Sequence, residues 1–456
     1  MRETDCIILG TGQAATPLAG KLVAAGKRVV IIERGEVGGT CVNFGCTPTK
    51  TLIASAKAAH GARTAGRLGV RTGDVIVDFP AVVARKDGMV KRWQAGVQKR
   101  LAANPELLTL VKGHGRFVGE RTVEVAGERY RGETVVIDVG ARPRMPEVKG
   151  LNRVPTLDNA SLMALTELPG HLLTLGGGYI GCEFAQAFRR FGAKVTMTDP
   201  NPHLMSALDP EASEAIERVF RDEGIELCLG LPVTEVRGRA GEVTLVLADG
   251  RTVSGTHLLV ATGRTPNTND LGCEAGSITL DARGYITVDE KFRTSAAGVY
   301  AVGDCTGEPA FTHVAWDDHR ILADVLLGRG NPRPRSHRHI PFAVFTDPQI
   351  AGVGLTEKEA TAKGVPYEVA RYAFSSVARA IETDELPGMF KLLVNPADET
   401  ILGATFVGSE VAELIHVVIA LMEAKASARA IVDSEAVHPA FAEGIQSALM
   451  SLPRFQ

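Results

Sequence analysis

The sequence predicts an α/β protein with two parallel-sheet domains and a separate C-terminal domain. The first observation is a unit of strand, glycine turn, helix and strand that occurs twice, with turns beginning at Gly10 and Gly176. In both copies an acidic residue, Glu33 or Asp199, ends the second strand 23 positions after that glycine. The second observation is a basic, proline-rich segment at residues 330–339, which is expected to separate the last domain from the rest.

Length and composition exclude several classes of protein. The 456 residues suffice for roughly three domains, and 45% hydrophobic with 23% charged residues is typical of globular chains. The net charge of -3 lacks the basic excess that nucleic-acid binding needs. Neither a signal peptide nor an apolar run long enough to span a membrane is recognisable. The seven cysteines are an odd number, which does not suggest a secreted disulfide framework. We therefore expect a cytoplasmic protein that binds neither nucleic acid nor membrane.

The segments between these features complete the expected order of elements. Residues 81–107 predict a long amphipathic helix, and residues 122–139 predict short strands with turns at Gly127 and Gly132. Residues 141–146 are expected to form a linker. The basic segment is expected to be a solvated loop rather than an anion site.

The first glycine turn, GTGQAA at residues 10–15, predicts a Rossmann-like dinucleotide site. Gly10 permits the tight turn, Gly12 lets the backbone approach a pyrophosphate, and Ala15 is small enough for close packing of helix on strand. Glu33 is placed to accept hydrogen bonds from an adenosine ribose. A purely structural turn is the alternative, but the strand, the helix and the acid at this offset favour a nucleotide.

The second glycine turn, GGGYIG at residues 176–181, predicts a second dinucleotide site. Its candidate cofactor-binding residues are Gly176, Gly178, Tyr179, Ile180, Gly181 and Asp199. The carboxylate of Asp199 would repel a 2'-phosphate, which favours NADH over NADPH. NADPH stays an alternative because His203, Lys194 or Arg189 could reach a phosphate. Two dinucleotide sites in one chain imply a relay between two cofactors.

The cysteine pair lies in GGTCVNFGCTPTK, residues 38–50. Five residues of a regular helix rise about 7.5 Å and turn about 140°, whereas a disulfide needs Cα atoms about 4.4–6.8 Å apart. A disulfide between Cys41 and Cys46 therefore requires a bend, for which Gly45 is the natural place. Gly39, with Thr40 beside it, adds a further close approach of backbone to a ligand. The alternatives are two buried thiols or a metal site, but no nearby residue supplies further ligands, so no metal is predicted.

These segments together resemble the FAD-dependent pyridine nucleotide-disulfide oxidoreductases, the family of glutathione reductase, lipoamide dehydrogenase and mercuric reductase. The resemblance spans nearly the whole chain. Beyond the glycine turns and the cysteine pair, it rests on ATGRTPN at 261–267, YAVGD at 300–304, PFAVFTDP at 341–348 and HPAFAE at 438–443.

The resemblance implies a homodimer of α/β subunits with two Rossmann-like domains and an α+β dimerisation domain. The FAD-binding domain would comprise residues 1–145 and, as its second part, 269–335. The NAD(P)-binding domain would comprise 146–268, and the dimerisation domain 340–456. The cofactors implied are FAD and NADH, with NADPH as the alternative.

The resemblance also implies a relay from the nicotinamide to the flavin and on to Cys46, while the outer Cys41 attacks the substrate. The acid–base catalyst would be His438 of the partner subunit, oriented by Glu443. This fits thiol chemistry, because a thiolate is the nucleophile and an imidazolium can protonate the leaving thiol. Without the resemblance, a lone histidine is more often a structural residue.

Four further residues receive cofactor roles from the resemblance. Lys50 would lie beside the flavin and pair with Glu183, although a solvated surface charge is the alternative for this lysine. Asp304 would bind the ribityl chain of the flavin, and Gly263 belongs to the ATGRTPN segment. A fifth candidate, Gly140, follows Asp138 and Val139 at the first crossover between domains, where the family commonly has Ala-Thr-Gly. This departure indicates a divergent branch.

Further motifs that resemble those of the family bear on the substrate. Residues 47–52 resemble the branch of mercuric reductase and the reactive-chlorine-resistance flavoproteins, and residues 311–319 lack the usual lipoamide-type Glu-Gly. No cysteine follows Cys305, so efficient mercury reduction through a C-terminal cysteine pair is not expected. We expect the substrate to be a small-molecule or protein disulfide or a soft metal ion. The alternatives are dihydrolipoamide dehydrogenase and a redox sensor without turnover.

Overall fold

Two runs of apolar residues, at 6–9 and 172–175, form central strands of two parallel sheets in the computed structural model, which describes residues 1–456. Both runs are almost fully buried. Strands that are apolar on both faces are typical of parallel sheets with helices on either side. The predicted α/β class is confirmed.

The bounds of the elements follow in chain order. The strands are β1 (Arg2–Leu9), β2 (Val29–Glu33), β3 (Leu108–Lys112), β4 (Arg116–Gly119), β5 (Thr122–Val125), β6 (Glu128–Ile137), β7 (Ala141–Pro143), β8 (His171–Leu175), β9 (Lys194–Asp199), β10 (Glu226–Leu229), β11 (Val233–Arg239), β12 (Glu242–Leu247), β13 (Thr252–Gly255), β14 (His257–Val260), β15 (Arg264–Pro266), β16 (Val299–Ala301), β17 (Phe342–Val344), β18 (Gln349–Gly354), β19 (Glu368–Ala373), β20 (Met389–Val394) and β21 (Ile401–Gly408). The α-helices are α1 (Ala15–Ala24), α2 (Gly39–Phe44), α3 (Cys46–Thr64), α4 (Phe79–Leu101), α5 (Asn159–Met163), α6 (Tyr179–Phe191), α7 (Pro210–Asp222), α8 (Thr312–Leu326), α9 (Glu357–Ala362), α10 (Ala378–Thr383), α11 (Val411–Ala424), α12 (Arg429–Val432) and α13 (Glu443–Met450). Short 3-10 helices lie at Ala65–Leu68, Leu151–Arg153, Gly303–Thr306, Phe374–Ser376 and Pro453–Phe455.

One compact unit comprises Met1–Thr51, Val83–Arg144 and Gly263–Arg338. Its main sheet has the strand order β3-β2-β1-β6, in which all pairs are parallel, and β16 also pairs with β6 in parallel. The antiparallel strands β5 and β4 extend the sheet from β6. Apolar side chains of α1 and α8 pack together on one face. The first glycine turn follows β1 at the carboxyl ends of the parallel strands.

The second compact unit comprises Leu52–Val82, Met145–Thr262 and His339–Gln456. It contains the parallel sheet β10-β9-β8-β14, the antiparallel sheet β11-β12-β13 and the antiparallel sheet β17-β18-β21-β20-β19. Helices α11 and α13 cover the last of these sheets with a core of buried apolar residues. The four-part division of the chain into domains stays a prediction.

Four local predictions were wrong. The helix expected at 81–107 ends at Leu101, because Pro105 cannot continue it and the carbonyl of Asn104 accepts from the next residues in a turn. Gly127 lies in a turn as expected, but Gly132 lies inside β6. A Cβ on Gly132 would approach the carbonyl oxygen of Thr134 to 2.6 Å, so the glycine serves close packing within the strand.

The third correction concerns the expected linker at 141–146. Its first three residues form β7, which pairs with β15. The segment therefore belongs to a two-stranded ribbon rather than to a free connection.

The basic segment at 330–339 is not a solvated loop. The side chain of Arg338 is only 5% exposed and pairs with Asp318 at 2.7 Å. Arg335 pairs with Glu308, and both arginines lie against the ring of Phe292. Asp318 is fully buried, so Arg338 supplies the counter-charge that this acid would otherwise lack. No helix of the chain has the length and apolarity needed to cross a membrane.

Candidate functional site

The first glycine turn connects β1 to α1 and closely approaches the end of β6. Gly10 has a φ of 101°, and a Cβ on it would lie 2.2 Å from the carbonyl oxygen of Asp138. Glu33 accepts a hydrogen bond from the Thr11 backbone at 3.0 Å and one from the Thr11 hydroxyl at 2.5 Å. The same hydroxyl accepts from the backbone of Gly38 at 3.1 Å. One chain of hydrogen bonds thus joins the acid, the turn and the start of the cysteine segment.

The second glycine turn repeats this arrangement. Gly176 has a φ of 110°, and a Cβ on it would lie 2.5 Å from the Ala261 carbonyl oxygen. Asp199 accepts from the backbone of Gly177 at 2.6 Å, as Glu33 does from Thr11. A Cβ on Gly178 would meet no atom within 4 Å, so open space lies before the first turn of α6.

Both turns fit a dinucleotide. Each precedes a helix whose first backbone N–H groups are the usual partners of a pyrophosphate, and each has an acid at the end of the following strand. Gly39 begins α2 with a φ of 63°, and a Cβ on it would lie 2.9 Å from the Cα of Gly12. The cysteine segment therefore starts against the first turn.

Two of the three basic residues that could receive a 2'-phosphate have other partners in the structure. The ring of His203 lies 3.2 Å from Glu217, and Arg189 donates to the carbonyl oxygens of Glu223 and Ala193 at 2.7 and 3.3 Å. The third, Lys194, begins β9, whereas Asp199 ends it, so the strand separates the two.

The cysteine segment bends where the sequence predicted. Helix α2 ends at Phe44, α3 begins at Cys46, and Gly45 between them has φ −121° and ψ −124°. A Cβ on Gly45 would lie 2.7 Å from the carbonyl oxygen of Thr40 and 2.9 Å from the Cα of Cys41. Glycine is therefore required for the close approach of the two short helices.

Asn43 holds the start of α2 in place. Its side-chain amide donates to the carbonyl oxygens of Glu36, Val37 and Gly39 at 3.2, 3.2 and 2.9 Å. The side chain of Gln94, on α4, donates to the Asn43 oxygen at 2.6 Å. This network fixes the loop that presents Cys41.

The two cysteines are in the thiol form, with Cys41 half-buried and Cys46 exposed. Cys46 Sγ lies 3.0 Å from the hydroxyl oxygen of Thr312, the first residue of α8. The hydrogen bond that Cys41 makes to Cys46, together with burial, raises the pKa of Cys41, and Thr312 acts in the opposite direction. A raised pKa disfavours the thiolate of Cys41, so Cys41 needs a base to become a nucleophile.

The candidate base and its acidic partner adjoin each other as predicted. His438 Nδ1 lies 2.9 Å from a carboxylate oxygen of Glu443, and the other oxygen accepts from the Ala440 backbone at 2.8 Å. These bonds, the one from Ala440 first, lower the pKa of Glu443. The ring is exposed, so its second nitrogen faces outward. The peptide bond between His438 and Pro439 is cis.

The remaining cofactor candidates lie at turns or helix starts. Asp304 pairs with Arg264 at 3.2 Å, and burial raises its pKa. Gly140 and Gly263 both have positive φ, of 64° and 118°. Thr40 lies in α2 directly before the first cysteine.

In the second unit, Tyr179 stacks on Phe342 at 5.7 Å, and burial raises the pKa of Tyr179 to about 12. Ile180 follows it in the first turn of α6. Glu183 is buried and accepts from the backbone of Phe345 at 2.9 Å. The pairing of Glu183 with Lys50 stays a prediction.

Sequence reasoning missed two residues of the site. Thr312 lies 266 positions from Cys46, and nothing in its own segment indicates a contact with a thiol. Asn43 lies within the cysteine motif. The signal for it was an amide side chain close in sequence to backbone carbonyl groups to which it can donate.

Known proteins are similar to this chain over nearly its whole length. The family described as pyridine nucleotide-disulphide oxidoreductase matches residues 4–318, and the dimerisation domain of that family matches residues 340–449. A mercuric reductase of Streptomyces lividans is 38% identical over 88% of this chain and 86% of its own length. The probable pyridine nucleotide-disulfide oxidoreductase RclA of Escherichia coli is 31% identical over 98% of both chains. A solved structure, the Cu(II) complex of the HOCl-induced flavoprotein disulfide reductase RclA from Escherichia coli, superposes with a TM-score of 0.90 at 30% identity, covering 99% of this chain and 100% of the other.

Proposed function

Because the chain belongs to the pyridine nucleotide-disulphide oxidoreductase family, we propose that it reduces a disulfide or a soft metal ion through Cys41 and Cys46. Membership confirms the predicted family, the oxidoreductase class, and FAD with NAD(P)H as cofactors. The observation that carries the proposal is the pair of thiols at a helix break, in contact with each other and with Thr312.

FAD would supply the transfer of an electron pair from the reduced nicotinamide to the disulfide. The residues proposed to hold FAD are Gly10, Gly12, Ala15, Glu33, Gly39, Thr40, Lys50, Gly140, Gly263 and Asp304. Those proposed to hold the nicotinamide nucleotide are Gly176, Gly178, Tyr179, Ile180, Gly181, Glu183 and Asp199. Asp199 supports NADH as the preferred donor, since His203 and Arg189 are occupied by other partners.

The dithiol can reduce a disulfide substrate in two exchange steps. The Cys41 thiolate attacks one substrate sulfur, forms a mixed disulfide and releases the other sulfur as a thiolate, which takes a proton. Cys46 then attacks the Cys41 sulfur, forms the internal disulfide and releases the second substrate thiol. Two electrons leave the protein and two thiols form, so the step balances.

The proton transfers are assigned to His438 of the partner subunit. The raised pKa of Cys41, caused by its hydrogen bond to Cys46 and by burial, means that a base must take its proton. A ring held by Glu443 and open at its second nitrogen is suited to take that proton and to give it to the leaving thiol. The match to the dimerisation domain supports a homodimer. The proposed location is the cytoplasm.

Two acceptor classes remain within the proposal. Relatives named mercuric reductase and a relative whose structure is a Cu(II) complex favour a soft metal ion, which thiolates bind well. The chain has no group of three or more metal-ligating side chains, so a metal substrate would rest on the two sulfurs. A small or protein disulfide is the second class, favoured by the exchange chemistry above. Dihydrolipoamide dehydrogenase and a sensor without turnover are the rivals.

A panel of acceptors tests the proposal. FAD-loaded protein with NADH should reduce Cu(II), Hg(II) or a disulfide in steady state, and Cys41→Ser should lose this turnover while its flavin is still reduced. Rapid NAD+-dependent oxidation of dihydrolipoamide would favour that dehydrogenase instead. Flavin reduction without turnover of any acceptor would favour the sensor.

A further inference from the structure

Asp138 follows the central strand β6, at a position where the family resemblance leads us to expect an uncharged alanine. Its backbone N–H donates to the carbonyl oxygen of Leu9 at 2.8 Å, which places it beside the first glycine turn. The residue is only 6% exposed. A carboxyl group is thus buried at a position where the family's Ala-Thr-Gly motif has none.

The side chain of Asp138 lies between two glycine turns. One carboxyl oxygen accepts from the backbone N–H of Ala15, in the first turn of α1, at 2.9 Å. A Cβ on Gly12 would lie 2.7 Å from that oxygen, and a Cβ on Gly303 would lie 3.0 Å from the other. The carboxyl group therefore packs against the turn proposed for the FAD pyrophosphate and against the turn that leads to Asp304.

No basic side chain pairs with Asp138. Its charged neighbours are two further acids, Asp304 and Asp318, and each of these has its own arginine, Arg264 at 3.2 Å and Arg338 at 2.7 Å. Burial first, and then these acids, raise the pKa of Asp138 well above its ordinary value. Burial without a basic partner therefore favours the uncharged form of this carboxyl group.

This inference rests on the proposed placement of FAD at the first glycine turn. We propose that Asp138 is a positioning residue for FAD, which holds the turn as an uncharged acid and expels the cofactor when it ionises. A pyrophosphate carries negative charge and binds at the N-terminus of a helix, so a carboxylate buried against the same turn repels it. Binding is reciprocal: FAD must favour the protonated acid by the factor by which protonation favours FAD.

The other groups around Asp138 define the pH dependence. The turn and α1 contribute Gly12 and Ala15, which carry no charge. The following segment contributes Asp304 and the buried thiol of Cys305, whose pKa is raised by burial and then by Asp138. Helix α8 contributes Asp318, paired with arginine. Ionisation of any of these acids adds negative charge, so the Asp138 contribution must be isolated by substitution.

Asp138→Asn provides that isolation, because the amide oxygen can still accept from the Ala15 N–H while the titrating proton is removed. FAD affinity of the apoprotein is measured by flavin fluorescence at about pH 6.5 and about pH 9. We expect wild-type affinity to fall about tenfold over this interval and that of Asp138→Asn to stay constant, at the wild-type value for the lower pH. Asp74→Asn, the same change at an exposed position, should follow wild type.

An equal fall in wild type and Asp138→Asn would overturn the role of Asp138 and leave the cofactor site intact. Failure of wild type to bind FAD at either pH would overturn both. If Asp138→Asn does not fold, difference infrared spectra of wild type decide. The carbonyl band of a buried carboxylic acid should persist to higher pH with FAD than without it, and an identical titration in the two states would contradict the proposal.

Discussion

Cys46 Sγ and Thr312 Oγ1 lie 3.0 Å apart, although 266 residues separate them in the sequence. The contact joins the first residue of α3 to the first residue of α8. When Cys46 is a thiolate it has no proton to give, so the Thr312 hydroxyl must donate, and this bond stabilises the thiolate over the thiol. This relationship makes Thr312 a positioning residue for the dithiol.

Removing the Thr312 hydroxyl should make the thiolate of Cys46 less stable relative to the thiol. Hydrogen bonds to charged groups are worth about 1.5–3 kcal/mol, so Thr312→Val should lower the ionised fraction of the dithiol about tenfold wherever ionisation is incomplete. Ultraviolet thiolate absorbance of the reduced protein measures this fraction. Thr312→Ser keeps the hydroxyl and should behave as wild type. Equal absorbance in the Val and Ser variants would argue against the contact.

Gly45→Ala should disturb the cysteine pair. The new Cβ would lie 2.9 Å from the Cα of Cys41, so the backbone must shift and the two sulfurs move apart. We expect disulfide closure, followed by thiol titration after oxidation, to slow about tenfold or more. Gly61→Ala, in helix α3 that follows the break, is the control, since a Cβ there meets no atom within 4 Å. Similar closure rates in both variants would show that the break at Gly45 is not needed.

We expect His438→Ala to slow turnover of a disulfide by about 10²–10⁴-fold while NADH still reduces the flavin at the wild-type rate. Mixing this variant with Cys41→Ser under subunit exchange should restore activity, because some heterodimers have one intact site. Persistent inactivity despite proven exchange would contradict a shared site.

Glu443→Gln tests the role of the carboxylate that contacts the ring of His438. The pKa of Glu443 is lowered by the Ala440 N–H and by His438, so the carboxylate stays ionised as pH falls through the neutral range and loses its charge only in acid. Without this anion the protonated ring is less favoured. The acidic limb of kcat/KM should therefore move to lower pH, and an unmoved limb would remove Glu443 from the mechanism.

Asp199 should determine the choice of nucleotide. Asp199→Asn keeps an acceptor for the Gly177 N–H but removes the charge that repels a 2'-phosphate. The ratio of kcat/KM for NADH to that for NADPH should fall about tenfold. Asp222→Asn, an exposed change on α7, should leave the ratio unaltered. A wild-type preference for NADPH would overturn the argument.

The sequence was most informative where local geometry leaves few choices. The bend at Gly45 follows from helix dimensions alone, and the acids Glu33 and Asp199 follow from strand length and turn chemistry. The contact of Thr312 with Cys46 depends on tertiary packing, which no local pattern encodes. Arg338 was misjudged for the same reason, since a basic, proline-rich segment gives no sign of the buried Asp318 that pairs with it.

The central claim is that Cys41 and Cys46 form one redox couple with distinct roles. Two-electron reduction of the FAD-loaded protein by NADH should produce a long-wavelength absorption band between a thiolate and the flavin. Cys41→Ser should keep this band and Cys46→Ser should lose it. The same spectrum in both variants, or no band in wild type, would contradict the account.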